Sequence, residues 1–281
     1  MTRLKTTDVN DIEHSLFEYD NKLKQICGCS LWEIACQAAG LNIEDLAVIK
    51  NSAYKIHIIP VNNGLGIISG FTESLKSIIS HLGFPVILSD TTDVTGLSQA
   101  IEKKADLVFM ADDDRFVIFD LKNRSIIDNT PMTALGYVTA LDLMVKSIHS
   151  KSVLILGCGP VGIAAAKEVI RLEGQVSVFD TDPSKSEVLK KLIQKPEGTE
   201  INVEADFRKA LKNHQLIVDA TPAADIIDIA DFQSDTYIVA PGVPCGITKA
   251  ALVQYPDQIL HDPLQLGVAT MLAQSLNKTD L

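Results

Sequence analysis

SVLILGCGPVG (152–162), continued by IAAAKEVIRLEG (163–174) and QVSVFD (175–180), decides the fold. An apolar run of strand length runs straight into Gly157-Cys158-Gly159-Pro160-Val161-Gly162, a G-x-G-x-x-G loop, and the loop enters an amphipathic helix. Gly157 permits the tight turn, Gly159 lets a pyrophosphate approach the backbone, and Gly162 lets helix and strand pack closely. Pro160 suits the first helical position, and the N–H groups beyond it, Val161's among them, point along the positive end of the helix dipole. The next strand ends in Asp180, 23 positions after Gly157. A carboxylate there can accept hydrogen bonds from the adenosine ribose hydroxyls and would repel the extra phosphate of NADP. Thr181-Asp182-Pro183 supplies no arginine in compensation, so NAD is the expected cofactor.

Outward from this unit, short β-rich runs recur: EINVE (200–204), QLIVD (215–219), TYIVA (236–240) and QIL (258–260), each separated by helix-like or turn-like sequence. With the first two strands they make six, alternating with helices, the grammar of a doubly wound parallel sheet. Ligands in such sheets lie beyond the carboxyl ends of the strands. Asp219-Ala220-Thr221-Pro222 and Pro241-Gly242 end two of them, so Ala220, Thr221, Pro222, Pro241 and Gly242 are further candidates for cofactor contact, though proline-rich loops also punctuate strands. Upstream, Thr130-Pro131 reads as a hydroxyl cap followed by proline at the first helical position, with Leu135, Val138, Leu141, Val145 and Ile148 as an apolar stripe. This helix connects the two halves.

The first half has a different texture. Residues 7–25 and 31–38 show helical spacing, and Gly40 stops the second run. YKIHIIPV (54–61), the loop Asn62-Asn63-Gly64-Leu65-Gly66 and a helical face at Leu75, Ile78, Ile79 and Leu82 then form strand, turn and helix. FPVIL and TGLSQAIEKK repeat the pattern, and DLVFM with RFVIFDL reads as a hairpin about Asp112–Arg115. The expected fold class is α/β: a C-terminal doubly wound (Rossmann) parallel sheet over residues 130–281, with a smaller N-terminal α/β domain over 1–129.

Composition narrows the function. The 281 residues are 46% apolar and 22% charged, an ordinary balance for a folded protein. A net charge of −11 has the wrong sign for covering a phosphate backbone, so no nucleic-acid partner is expected. No uncharged apolar run approaches membrane-spanning length, and the charged N-terminus is unlike a signal peptide, so no membrane partner and a cytoplasmic location are expected. Five cysteines and six histidines form no metal-ligand array; no bound metal is expected. These features allow a homodimer without requiring one.

Chemistry in the first half rests on two loops. Asp112 leaves the DLVFM strand near its carboxyl end, and Asn63 lies in a glycine loop after another apolar strand; either segment is also plausible as a plain turn. His261 follows a late strand and could face the cofactor, or simply close a strand end.

Seven segments carry a more specific likeness: GIISGFTESLKSIISHLGF (66–84), DVTGLSQAI (93–101), LVFMADD (107–113), VLILGCGPVG (153–162), DATP (219–222), PGVPCGIT (241–248) and PLQLGVATM (263–271). Together, and in this order, they resemble the PylD family of pyrrolysine synthases. That resemblance implies NAD-dependent oxidation of the terminal amine of 3-methyl-D-ornithyl-N6-L-lysine, then ammonia loss and closure of a pyrroline ring. It assigns Asp112 the acidic substrate contact and catalytic part, Phe71 an aromatic contact with the substrate, and Leu4 a place on an N-terminal helix that helps to close over it. Asn63 stands where the family pattern Thr-Ser-Gly-Asn-Gly has serine, and this chain reads Asn-Asn-Gly-Leu-Gly, so the reach of that side chain differs. The resemblance gives His261 no catalytic part. The Rossmann half alone fits another NAD-dependent two-domain dehydrogenase of amino acids or small acids, or a non-enzymatic NAD-responsive binding protein.

Overall fold

The computed structural model describes residues 4–41, 54–193 and 201–277. The chain divides into two compact units: residues 1–24, 29–133 and 264–281, and residues 25–28 and 134–263.

In the first unit, α1 (Thr6–Val9) and α2 (Ile12–Cys27, which crosses into the second unit) precede α3 (Leu31–Ala38). Ser30 caps α3: its Oγ accepts from Glu33 N–H while the Glu33 carboxylate accepts from Ser30 N–H, a reciprocal pair that holds two otherwise orphaned donors. The sheet follows, with β1 (Ile56–Ile58), α4 (Phe71–His81), β2 (Val86–Leu88), α5 (Asp93–Glu102), β3 (Leu107–Ala111), β4 (Phe116–Asp120) and β5 (Ser125–Asp128). Its order is β2-β1-β3-β4-β5; β1 pairs parallel with β2 and β3, and β3-β4-β5 is an antiparallel meander. Sequence reading anticipates the first four strands. It misses β5, whose SIID is half exposed and too short to show a pattern.

The connecting helix α6 (Asn129–Met144) begins one residue before the expected cap. Asp128, not Thr130, supplies the capping oxygen, accepting from Thr130 N–H at 3.0 Å. The expected stripe is also too narrow: Ala134 and Gly136–Leu141 are all buried, so α6 is covered on every side, and Leu135 is only half-buried.

The second unit holds β6 (Ser152–Leu156), α7 (Pro160–Arg171), β7 (Gln175–Phe179), α8 (Pro183–Ile193), β8 (Asn202–Val203), α9 (Phe207–Asn213), β9 (Leu216–Asp219), β10 (Tyr237–Ala240), α10 (Lys249–Gln254) and β11 (Ile259–His261). All six strands are parallel, in the order β11-β10-β9-β6-β7-β8. This is the doubly wound arrangement expected; Glu200, the first residue expected in β8, lies outside the described residues. Leu154, Leu156, Ile217, Ile238 and Ile259 form one buried cluster under it with Leu211 and Ala251. Burying each of the larger side chains contributes about 1.5–3 kcal/mol.

The last helix, α11 (Gln265–Leu276), departs from the expected division. It packs on α3 and α4 and belongs to the first unit rather than to the Rossmann half. Almost every residue from Gln265 to Leu276 is buried, and a helix apolar all round needs cover on all sides, which the helices of the first unit supply.

Candidate functional site

In the second unit the glycine loop has the geometry its sequence demands. Gly157 sits at φ +86°, the left-handed region that favours glycine. Its N–H donates to Phe179 O at 2.9 Å, which ties the loop to the end of β7. A Cβ on Gly162 would collide with the Gly157 carbonyl, so α7 rests directly on the turn. At Gly159 an added Cβ would meet nothing within 4 Å. Pro160 is the first residue of α7, and the N–H groups of Val161 and Gly162, one turn too early for a helical carbonyl partner, face the same end. The loop is therefore an open cradle for an anionic phosphate at a helix N-terminus.

Asp180 is bonded into this cradle. Its carboxylate accepts from Cys158 N–H at 2.8 Å and from Asp182 N–H at 2.9 Å, and it stays half-buried. The two proline loops pack on each other: a Cβ on Gly242 would strike the Thr221 carbonyl, and Gly242 N–H donates to Asp219 O at 3.0 Å. Asp219 is fully buried. Its Oδ1 accepts from Thr221 N–H and from the Thr221 hydroxyl (2.7 Å), while Oδ2 lies against Gly246 without a well-formed hydrogen bond. Burial pushes this carboxyl above the usual carboxylate range, against the opposing pull of its hydrogen bonds.

Sequence reasoning left His261 open between a cofactor contact and a strand-end residue, and did not find its partner. The ring closes the end of β11, with Nδ1 2.8 Å from Ala240 O and Cys245 near enough to act on its charge. Burial alone would lower its pKa, but Cys245, the Ala240 carbonyl and the Asp262 carboxylate overcome that and raise it to about 9. Strand spacing does not reveal that Ala240, just before the PGVPC motif, is the register partner of His261.

In the first unit, among the described residues, the structure does not bond the candidate residues to one another, and two contacts lie beside them. Asp113, not Asp112, reaches the glycine loop: its Oδ2 accepts from Leu65 N–H at 2.7 Å and fills the space where a Cβ of Gly64 would sit. Phe71 opens α4 and packs edge-on to Phe116 at the start of β4, ring centroids 5.5 Å apart. Asp112 is exposed and closes the β3-β4 turn, its Oδ1 accepting from Asp114 and Arg115 N–H at 2.9 and 2.7 Å. Asn63 is exposed two residues before Leu65. Leu4 is half-buried just ahead of α1, and α1 is fastened to α4 where the Ser74 hydroxyl donates to Val9 O at 2.9 Å. Among the described residues, no group of three or more His, Cys, Asp or Glu could hold a metal ion, and no helix is long and apolar enough to cross a membrane.

Residues 8–127 match the family described as "Pyrrolysine biosynthesis protein PylD, N-terminal domain", and residues 130–227 match "Alanine dehydrogenase/PNT, C-terminal domain". Over 272 residues the chain is 28% identical to the pyrrolysine synthase of Methanosarcina acetivorans, covering 97% of this chain and 98% of that one. It is 29% identical to the pyrrolysine synthase of Methanosarcina barkeri, covering 97% of each. Along almost its whole length the chain is similar to pyrrolysine synthases. The two matches cover both halves, one to a PylD N-terminal domain and one to an alanine dehydrogenase/PNT C-terminal domain. The fold is shared with more distant proteins. Quinate dehydrogenase from Corynebacterium glutamicum, solved with NAD, has a TM-score of 0.54 at 15% identity over 80% of this chain and 94% of its own. The methylenetetrahydrofolate dehydrogenase/cyclohydrolase of Thermoplasma acidophilum has 0.53 at 13% identity over 87% and 94%.

Proposed function

We propose that the chain is an NAD-dependent pyrrolysine synthase. It oxidises the terminal amine of 3-methyl-D-ornithyl-N6-L-lysine, after which ammonia leaves and a pyrroline ring closes. The end-to-end similarity to two pyrrolysine synthases carries this reading. The open cradle at Gly159 fits a dinucleotide, with the pyrophosphate against Gly157–Gly162 and α7, and the ribose at Asp180. Ala220, Thr221, Pro222, Pro241 and Gly242, in the loops after β9 and β10, are assigned contacts with the nicotinamide half. The choice of NAD over NADP rests on Asp180 and on the lack of an arginine after it.

Bound nicotinamide supplies the hydride acceptor. The chain's own task is to present the amine unprotonated, because its lone pair must form the new C=N bond. A free alkyl ammonium has a pKa of about 10.4, so the site must take or exclude a proton. Asp112 is assigned to orient the amine by a charge-assisted hydrogen bond and to accept its proton; one carboxylate oxygen is already held by its turn, which fixes the direction of the other. Asn63 and Phe71 are assigned polar and aromatic contacts with the substrate, and Leu4 an apolar contact from the segment before α1. Attack of the ornithine α-amine on the imine carbon is intramolecular and expels the terminal nitrogen as ammonia, which makes ring closure entropically cheap.

The test is purified protein with this substrate and NAD. NADH absorbance and a product lighter by ammonia and two hydrogens are expected together. NADH with no ring product would favour another amine dehydrogenase, and NAD binding without reduction would favour a non-catalytic NAD-binding protein.

A further inference from the structure

At the amino ends of β6, β9 and β10 the Rossmann unit holds a cavity of about 540 Å³, within the range of small-ligand sites. Ser152, Leu216 and Tyr237, at the starts of these strands, line it together with the loop after α6 and the end of α9. The glycine loop follows the other end of β6, about 16 Å away by the length of a five-residue strand. The cavity is therefore not the nucleotide cradle.

Its walls carry three kinds of chemistry. Met144, Leu216 and Tyr237 supply apolar surface. Lys146 and Lys151 bring two ammonium groups, and Lys151 Nζ is fixed by donating to Val145 O at 3.1 Å. Asp235 brings a carboxylate. His214 is only 7% exposed, with Nε2 3.2 Å from Glu204 Oε1. Burial lowers its pKa against the pull of Glu204, so the ring is neutral at pH 7. Facing a carboxylate oxygen, Nε2 carries the one ring proton, and Nδ1 is left as a buried acceptor with no hydrogen-bond donor. Such an atom is costly until a donor reaches it.

We propose that this cavity binds a free α-amino acid with an apolar side chain. Lys146 and Lys151 take the carboxylate, Asp235 and the bare Nδ1 of His214 take the ammonium, and Met144, Leu216 and Tyr237 take the side chain. A plain anion would satisfy the lysines but meet Asp235 as a like charge. A hydrocarbon would leave all three charged groups and Nδ1 unmatched. Binding here needs neither the nucleotide nor the proposed substrate, so the site stands apart from the synthase reading.

The experiment is calorimetric titration of the full-length protein with L-phenylalanine and L-leucine, alongside 3-phenylpropanoate, which lacks the ammonium, and 2-phenylethylamine, which lacks the carboxylate. L-Phenylalanine is expected to bind at least about tenfold more tightly than either analogue. Asp235→Asn is expected to remove its advantage over 3-phenylpropanoate, and the double variant Lys146→Gln/Lys151→Gln its advantage over 2-phenylethylamine. All three positions are exposed, and an unchanged melting temperature shows that each variant is folded. No heat with either amino acid, equal affinity for L-phenylalanine and its two analogues, or tighter binding of inorganic phosphate would overturn the site. Amino-acid affinity untouched by both variants would place the binding elsewhere and overturn it as well.

Discussion

The carboxylate of Asp180 accepts a 2.8 Å hydrogen bond from the backbone N–H of Cys158, so the acidic end of β7 and the glycine loop after β6 are directly joined. The residue expected to read the ribose thereby also holds the loop expected to hold the phosphates. Its second oxygen is turned by Asp182 N–H, which leaves the carboxylate oriented rather than free to rotate.

Asp180→Ala is therefore expected to act twice on the nucleotide. Losing hydrogen bonds to a charged acceptor is worth about 1.5–3 kcal/mol, so calorimetric titration should show NAD affinity falling at least about tenfold. Preference for NAD over NADP should fall as well, because the repelling charge is gone. Unchanged affinity for both nucleotides would remove Asp180 from the cofactor site.

Two glycines three positions apart, Gly159 and Gly162, should respond in opposite ways. A Cβ at Gly162 has no room beside the Gly157 carbonyl, so Gly162→Ala is expected to cost about 1–3 kcal/mol in urea unfolding. Gly159 faces open space at φ −76°, a value any residue adopts. Gly159→Ala is expected to leave the urea midpoint in place and to weaken NAD binding by crowding the pyrophosphate. A stable Gly162→Ala, or a Gly159→Ala that binds NAD normally, would contradict the assigned roles.

The Rossmann half was legible because its signals are local: each strand is a short apolar run, and Gly157, Gly159 and Gly162 act within six residues of one another. What escaped depends on long-range packing. α11 carries an apolar pattern that cannot say which unit covers it. Asp112 and Asp113 are adjacent and chemically alike, and only the β3-β4 turn decides that Asp113 holds Leu65 while Asp112 closes the hairpin. His261 and Ala240 lie twenty-one positions apart and meet because β10 and β11 are neighbours in the sheet.

Three histidines give stability a worked-out dependence on pH. His57 and His214 are buried, and desolvation lowers both below 6.5, with Lys103 and Lys55 adding to the effect at His57. As pH falls through 6.5 the unfolded chain binds protons that the native rings refuse, so stability drops with acidification, at most by about 1.4 kcal/mol per pH unit for each ring. His214→Gln should flatten the acid side of a urea-midpoint profile. His261 has the opposite sign: its contribution is fully present below 6.5 and is lost as pH rises through about 9. His261→Asn should flatten the alkaline side, and a profile identical to wild type there would show that the ring is not held protonated.

Substitutions of the adjacent aspartates separate chemistry from loop support. Asp112→Asn keeps an oxygen for the Asp114 and Arg115 N–H groups, so the hairpin should persist while the proposed proton acceptor is lost. Turnover is expected to fall by about 10²–10⁴, the range for a general base, with NAD affinity unchanged. Asp113→Ala removes the acceptor for Leu65 N–H and loosens the loop that carries Asn63. Its effect should fall on KM more than on kcat, because it disturbs the positioning of substrate and not the proton transfer. If Asp113→Ala instead abolished kcat while Asp112→Asn turned over normally, the acidic contact with the amine would belong to Asp113, and the assignment carried over to Asp112 would be one residue out.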